Sequence, residues 1–157
     1  MNIVIDSDEY NKEYIFLQES VKNNIIDNSK FIRIIYSNNI FVVNTLYIVF
    51  NLNVIQIENY FNKYKFVFNV KQNTKPINQL KYIEESILDK VFISNKKPVF
   101  RLYEQINSGN LKLFKDNLKL HKINSDNEFI IKISGIWEND YEYGITYKFV
   151  DMKLVTY

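Results

Sequence analysis

Pro76-Ile77-Asn78-Gln79-Leu80-Lys81-Tyr82-Ile83-Glu84-Glu85-Ser86-Ile87-Leu88-Asp89-Lys90-Val91 is the stretch on which the fold turns. Ile77, Leu80, Ile83, Ile87, Leu88 and Val91 recur at the 3.6-residue period of one helical face, and Lys81, Glu84, Glu85, Asp89 and Lys90 take the solvent side. Thr74 suits the N-cap, and Pro76 suits the first turn, where a missing N–H costs nothing. A helix is therefore expected over residues 76–91. Working outward, the runs on both sides are β-branched and aromatic, which reads as strand. Before the helix these are residues 31–36, a run over 40–53 that is one long strand or a strand with a bulge, and residues 64–71. In the last, Tyr64, Phe66, Phe68 and Val70 share one face, and Lys65, Val67, Asn69 and Lys71 the other. After the helix, strands are expected over 98–103, 111–114, 128–137 and 143–150.

Polar clusters punctuate these runs at residues 23–29, at Ser37-Asn38-Asn39, at Ser108-Gly109-Asn110 and in the acidic segment 138–142. Tyr14, Leu17 and Val21 fall at helical spacing, so residues 1–29 are expected to form an arm or a short helix. Residues 30–150 then make the core and 151–157 a short tail of a single domain. The expected class is mainly β with one main α-helix. Strands, one helix, then strands is the order of an OB-fold, with the helix between the third and fourth strands of a five- or six-stranded barrel. Gly135, in mid-strand, marks a bulge or a sharp barrel bend. Trp137 falls on the same alternating face as Phe129, Ile131 and Ile133, so it is expected in the core.

With 157 residues, one domain can bury roughly 70% of its unfolded surface. The chain has no Cys, which excludes disulfides, thiolate metal sites and Cys nucleophiles. Its first residues are acidic and show no secretory pattern, and no apolar run approaches the roughly 20 residues of a membrane helix. An intracellular location is expected, in the cytoplasm or nucleus of a host cell, neither secreted nor in a membrane. Ala is absent, Asn and Ile abound, and Lys outnumbers Arg 18 to 2, the imprint of an AT-rich genome. Position therefore carries more information than frequency. The net charge of +2 is too small for the whole-molecule field to hold a polyanion, so any such site depends on clustering. Lys63, Lys65, Lys71 and Lys75 form one local excess, and Lys112, Lys115, Lys119 and Lys122 another.

Catalytic groups are scarce. The single His121 lies in a basic stretch, and three glycines, at 109, 135 and 144, cannot build a phosphate loop. Asp8/Glu9, Glu84/Glu85 and Asp140/Glu142 read as solvated pairs. No catalytic residue, metal or cofactor is expected, and the protein is not expected to be an enzyme. Aromatics interleaved with Lys remain. Rings on which bases stack contribute roughly 1–3 kcal/mol per base, while nearby Lys tracks the phosphates. Tyr36, Tyr47, Tyr60, Tyr64 and Tyr147 are the expected platforms, because their polar tips tolerate exposure. Arg33, Lys63, Lys65, Lys71 and Lys148 are the expected cations.

The closing segment, Lys132-Ile133-Ser134-Gly135-Ile136-Trp137-Glu138 followed by Gly144-Ile145-Thr146-Tyr147-Lys148-Phe149, resembles the C-terminal strand pair of a known family. These are the single-stranded-DNA-binding proteins of the bacteriophage type that also occur in large eukaryotic DNA viruses. Residues 31–47 and the helix at 77–91 fit that pattern in order and spacing. The resemblance implies an OB-fold core and binding of single-stranded DNA with little sequence preference, in viral-type replication or recombination. It implies replication proteins as partners, with RNA as the alternative polymer and a homo-oligomer as a further assembly. Members of that family end in an acidic tail with a terminal aromatic. Here Asp151-Met152-Lys153-Leu154-Val155-Thr156-Tyr157 keeps the aromatic without the acidic run. The rival expectation is a structural or virion-associated β protein that uses the same face for protein contacts.

Overall fold

The computed structural model describes residues 3–115 and 126–154. The helix forms where its period placed it: α1 (Thr74–Leu88) buries Ile77, Leu80, Ile83, Ile87 and Leu88. Val91 lies half-buried just past its end. Thr74 is inside the helix and Asn73 holds the cap position. The Asn73 amide accepts the Asn53 N–H at 2.7 Å and donates to the carbonyls of Asn53 (3.1 Å) and Asn69 (2.8 Å), which pins the helix start to a strand. Glu84 departs from the solvent role that periodicity assigned it. It is 0% exposed, beneath a second helix, α2 (Arg101–Asn107). That helix takes the second half of the region expected as a strand over 98–103, and only Pro98 of that region lies in a strand. Leu102 and Ile106, four residues apart, are both buried, and the Glu84 carboxylate accepts the first N–H groups of α2. Gly109, at φ +84°, reverses the chain after α2 in the left-handed region that Gly adopts freely.

Among the described residues eleven strands complete the fold, beginning with β1 (Val4–Asp6), β2 (Ile15–Leu17), β3 (Val21–Lys22), β4 (Lys30–Ser37), β5 (Val42–Val43) and β6 (Leu46–Asn59). Then come β7 (Lys63–Phe68), β8 (Lys97–Pro98), β9 (Asn110–Phe114), β10 (Asp126–Glu138) and β11 (Glu142–Leu154). Pairing runs β2-β4-β10-β6-β7-β9, with β11 also on β10 and β1 parallel to β6. The class is mainly β with one main helix, and the sheet is open and largely antiparallel. Among the described residues no hydrogen-bonded pairing closes it into a barrel. β6 serves both halves: residues 46–53 pair with β10 and residues 54–59 with β7, with a bulge between Val54 and Gln56. α1 packs on β6, β11 and α2. Between them lie Ile48, Phe66, Leu80, Ile83, Phe129, Ile131 and Ile133, all fully buried.

Three expectations fail locally. Residues 8–22 form two single 3₁₀ turns and then β2 and β3, because the Asp6 and Asn11 side chains cap the turns and Ile15 buries itself in extended pairing with Tyr36. The run over 40–53 breaks where Asn38 Oδ1 accepts the N–H groups of Ile40 (2.8 Å) and Phe41 (2.9 Å), so the long strand begins at Leu46 and extends to Asn59. Trp137 leaves the core face. On β10 and β11, Ile133 pairs with Tyr147 but Gly135 with Thr146, so Ser134 is an extra residue that reverses the alternation. Ile136 takes the buried place and Trp137 emerges half-exposed. At Gly135 a Cβ would sit 2.3 Å from the Ile32 carbonyl oxygen, which accounts for a glycine in mid-strand. β11 continues to Leu154, through the start of the expected tail.

Candidate nucleic-acid interface

β7 and β9 pair in the register Lys63↔Phe114, Tyr64↔Leu113, Lys65↔Lys112 and Phe66↔Leu111. Alternation sends Phe66, Leu111 and Leu113 into the core and leaves Lys63, Lys65, Lys112 and Phe114 outside. The Lys63 ammonium lies 4.6 Å from the Phe114 ring centroid, and Lys148 of β11 reaches the same ring at 5.1 Å. Lys115 stands 4.9 Å over the Tyr64 ring, and Lys112 lies 5.9 Å from Tyr60. The β6–β7 turn is closed by the Tyr60 N–H donating to the Lys63 carbonyl at 2.9 Å, and it presents Phe61 at 101% exposure.

Not all of this charge is free. Lys65 pairs with Glu58 at 3.4 Å, and the Tyr60 hydroxyl donates to the same carboxylate at 3.0 Å. Lys115 donates to the Asn59 side-chain oxygen. Lys63, Lys112, Lys115 and Lys148 make no ion pair among the described residues. Two Lys–Lys pairs sit directly across strands here, Lys65↔Lys112 and Lys132↔Lys148. Like charges in that relation oppose folding, a local conflict typical of functional surfaces. Lys132 also pairs with Tyr47, so Tyr47, Lys132 and Lys148 continue the row over the central strands.

Of the residues expected from sequence, Lys63, Tyr64, Lys65 and Lys148 come together, with Tyr47 half-buried at the end of the row and Tyr60 at the turn. Tyr36 does not belong. It is 1% exposed and enclosed by the rings of Tyr10, Tyr14 and Phe41, so it is a core residue and no platform for bases. Tyr147 is half-buried and turned to the face opposite Lys148. Its hydroxyl donates to Gln105 Oε1 at 2.6 Å and lies 3.3 Å from the Arg101 carbonyl, and burial pushes its phenol up to about 12. Arg33, on β4 opposite Gly135, and Lys71, in the turn before α1, are exposed but outside the patch. Phe61, Lys112, Phe114, Lys115 and Lys132 were not among the expected contacts, although the alternation Lys112-Leu113-Phe114 carried the signal. Lys119, His121 and Lys122 lie outside the described residues. No group of three or more His, Asp or Glu suited to hold a metal occurs among the described residues. Comparisons with known protein families, curated proteins and solved structures found no match.

Proposed function

We propose that this chain is a non-catalytic binder of single-stranded nucleic acid, DNA before RNA, with little sequence preference, acting through the outer face of β7, β9 and β11. The observation that carries the reading is a set of four ammoniums, Lys63, Lys112, Lys115 and Lys148, that make no ion pair among the described residues and lie over aromatic rings, of which Tyr60 and Phe114 are exposed and Tyr64 is half-buried. Unstacked bases can lie on Phe61, Tyr60 and Phe114 while the ammoniums follow the phosphates. A duplex offers its bases only at the groove edges, so it gains the charge term without the stacking term. The reading needs an open aromatic face and not a closed barrel. Kinship with phage-type single-stranded-DNA-binding proteins, an OB-like closure, a role in viral-type replication and contacts with replication proteins belong to the same proposal. Two features support them: α1 falls after β4, β6 and β7, and Lys148 of β11 reaches Phe114 of β9 although those strands do not pair.

Mobility-shift titrations with single-stranded DNA, duplex DNA and RNA test the reading. Single-stranded DNA is expected to bind tightest. The triple variant Lys63→Ala/Lys112→Ala/Lys148→Ala is expected to weaken that binding at least tenfold, while Arg33→Ala/Lys71→Ala keeps it. Equal binding by the two variants, or none by the parent protein, would overturn the proposal and leave the face to a protein ligand.

A further inference from the structure

We infer that the groove between residues 21–31 and the corner where α2 meets β10 and β11 binds a small amphiphilic carboxylate, an apolar body with one anionic head. The groove is open to solvent and offers about 830 Å³, within the roughly 300–1,000 Å³ of small-molecule sites. Val21, Ile26, Phe31, Trp137 and Ile145 give it apolar walls, and Val21 and Ile26 remain 57% and 59% exposed. A ligand without an apolar body would leave those side chains in water.

The head group is set by charge. Both ionic side chains on the lining, Lys22 and Arg101, are cationic, and no Asp or Glu lines the groove among the described residues. The Arg101 guanidinium lies 4.6 Å from the Trp137 ring centroid and makes no ion pair among the described residues. Held by the indole at the end of an apolar trough, its forked N–H donors suit a two-oxygen acceptor. The Tyr147 hydroxyl is already engaged with Gln105, so it stiffens this corner without competing for the head. Lys148 alternates with Tyr147 on β11, and none of Lys63, Lys112, Lys115 and Lys148 lines the groove. The two sites are separate, and neither proposal rests on the other.

Calorimetric titration of the full chain with octanoate, and with 1-octanol as its uncharged counterpart, tests the assignment. Octanoate is expected to bind at one saturable site, and octanol at least tenfold more weakly. Arg101→Gln is expected to weaken octanoate tenfold or more, the loss of a charge-assisted contact, and to leave octanol unchanged. Arg101 is exposed, so an unchanged melting midpoint will show that the variant folds. Absence of saturable octanoate binding would overturn the proposal, as would equal binding of octanoate and octanol or indifference to Arg101→Gln. So would a dimer, seen by sedimentation and dispersed by Ile26→Asp, that takes up no octanoate, because the groove would then belong to a second copy of the chain.

Discussion

Glu84 follows the polar pattern of α1 in sequence yet lies entirely out of solvent, and its partners explain why a carboxylate is kept there. Its two oxygens accept the N–H groups of Leu102 (3.0 Å) and Tyr103 (2.8 Å), donors that the start of α2 would otherwise bury unpaired. Burial pushes its pKa up from the ordinary 4.5, while those two donors pull the other way, so the net direction is upward. The folded state therefore holds the Glu84 proton more tightly than the unfolded chain. That contribution to stability is complete below pH 4.5 and is lost as pH rises through the raised value. Urea unfolding of the parent and of Glu84→Gln across pH 4–7 should show the parent's advantage shrinking as pH rises; a constant difference would refute the assignment. Glu84→Ala should cost about 1–3 kcal/mol for each buried N–H left without an acceptor, read as a lower urea midpoint. Gly135 is constrained differently. An added Cβ would meet the Ile32 carbonyl, and backbone cannot swing aside, so Gly135→Ala should destabilise by about 1–3 kcal/mol or more. A melting midpoint equal to the parent's would show that the bulge absorbs the methyl.

The β7–β9 ribbon and the β6–β7 turn beside it separate two kinds of aromatic that sequence alone ranks together. Phe61 is bare at the turn, whereas Tyr64 is half-buried with its ring 6.5 Å from Phe66 and packs against the core. Phe61→Ala should weaken single-strand binding by about 1–3 kcal/mol and leave the melting midpoint in place. Tyr64→Ala should instead lower the midpoint, with most of its effect on affinity traceable to folding. Filter binding and thermal melts on both variants decide it, and the reverse pattern would move the platform to Tyr64. α1, and β7 as far as Phe68, were legible in sequence because each buries one face in register with its own period; Val70 and Lys71, expected to continue the strand, turn into a 3₁₀ helix instead. The rest was decided by partners far along the chain. Glu84 is buried because α2 needs acceptors, and residues 101–107 are helical because Leu102 and Ile106 reach the core four residues apart. Trp137 changed faces because one residue, Ser134, is extra in the ladder, and no periodicity announces a bulge. Within the candidate site, Lys63, Lys65 and Lys148 were legible from alternation. Tyr36 was not, because the rings that enclose it come from residues 10, 14 and 41.

At the scale of the whole molecule, the distribution of charge is what separates the proposed ligand from its alternatives. A net charge of +2 leaves almost no field at long range, so attraction must act within about 10 Å of the surface at 0.1 M salt. The patch supplies that short-range field: Lys63, Lys112, Lys115 and Lys148 stand together, while Lys65 is compensated by Glu58. If each of the four displaces one counterion from a single strand, log K should fall with log salt at about −0.7 per contact, a total slope of roughly −3. Replacing all four by Ala should flatten the slope toward zero while the stacking contribution persists. Lys71→Ala should leave the slope as it is, since that side chain lies outside the patch. Fluorescence anisotropy with a labelled oligothymidine over 50–400 mM salt measures all three proteins directly. A parent slope near zero would mean that the ligand of this face is not a polyanion. A steep slope that survives the fourfold replacement would place the nucleic acid elsewhere on the chain.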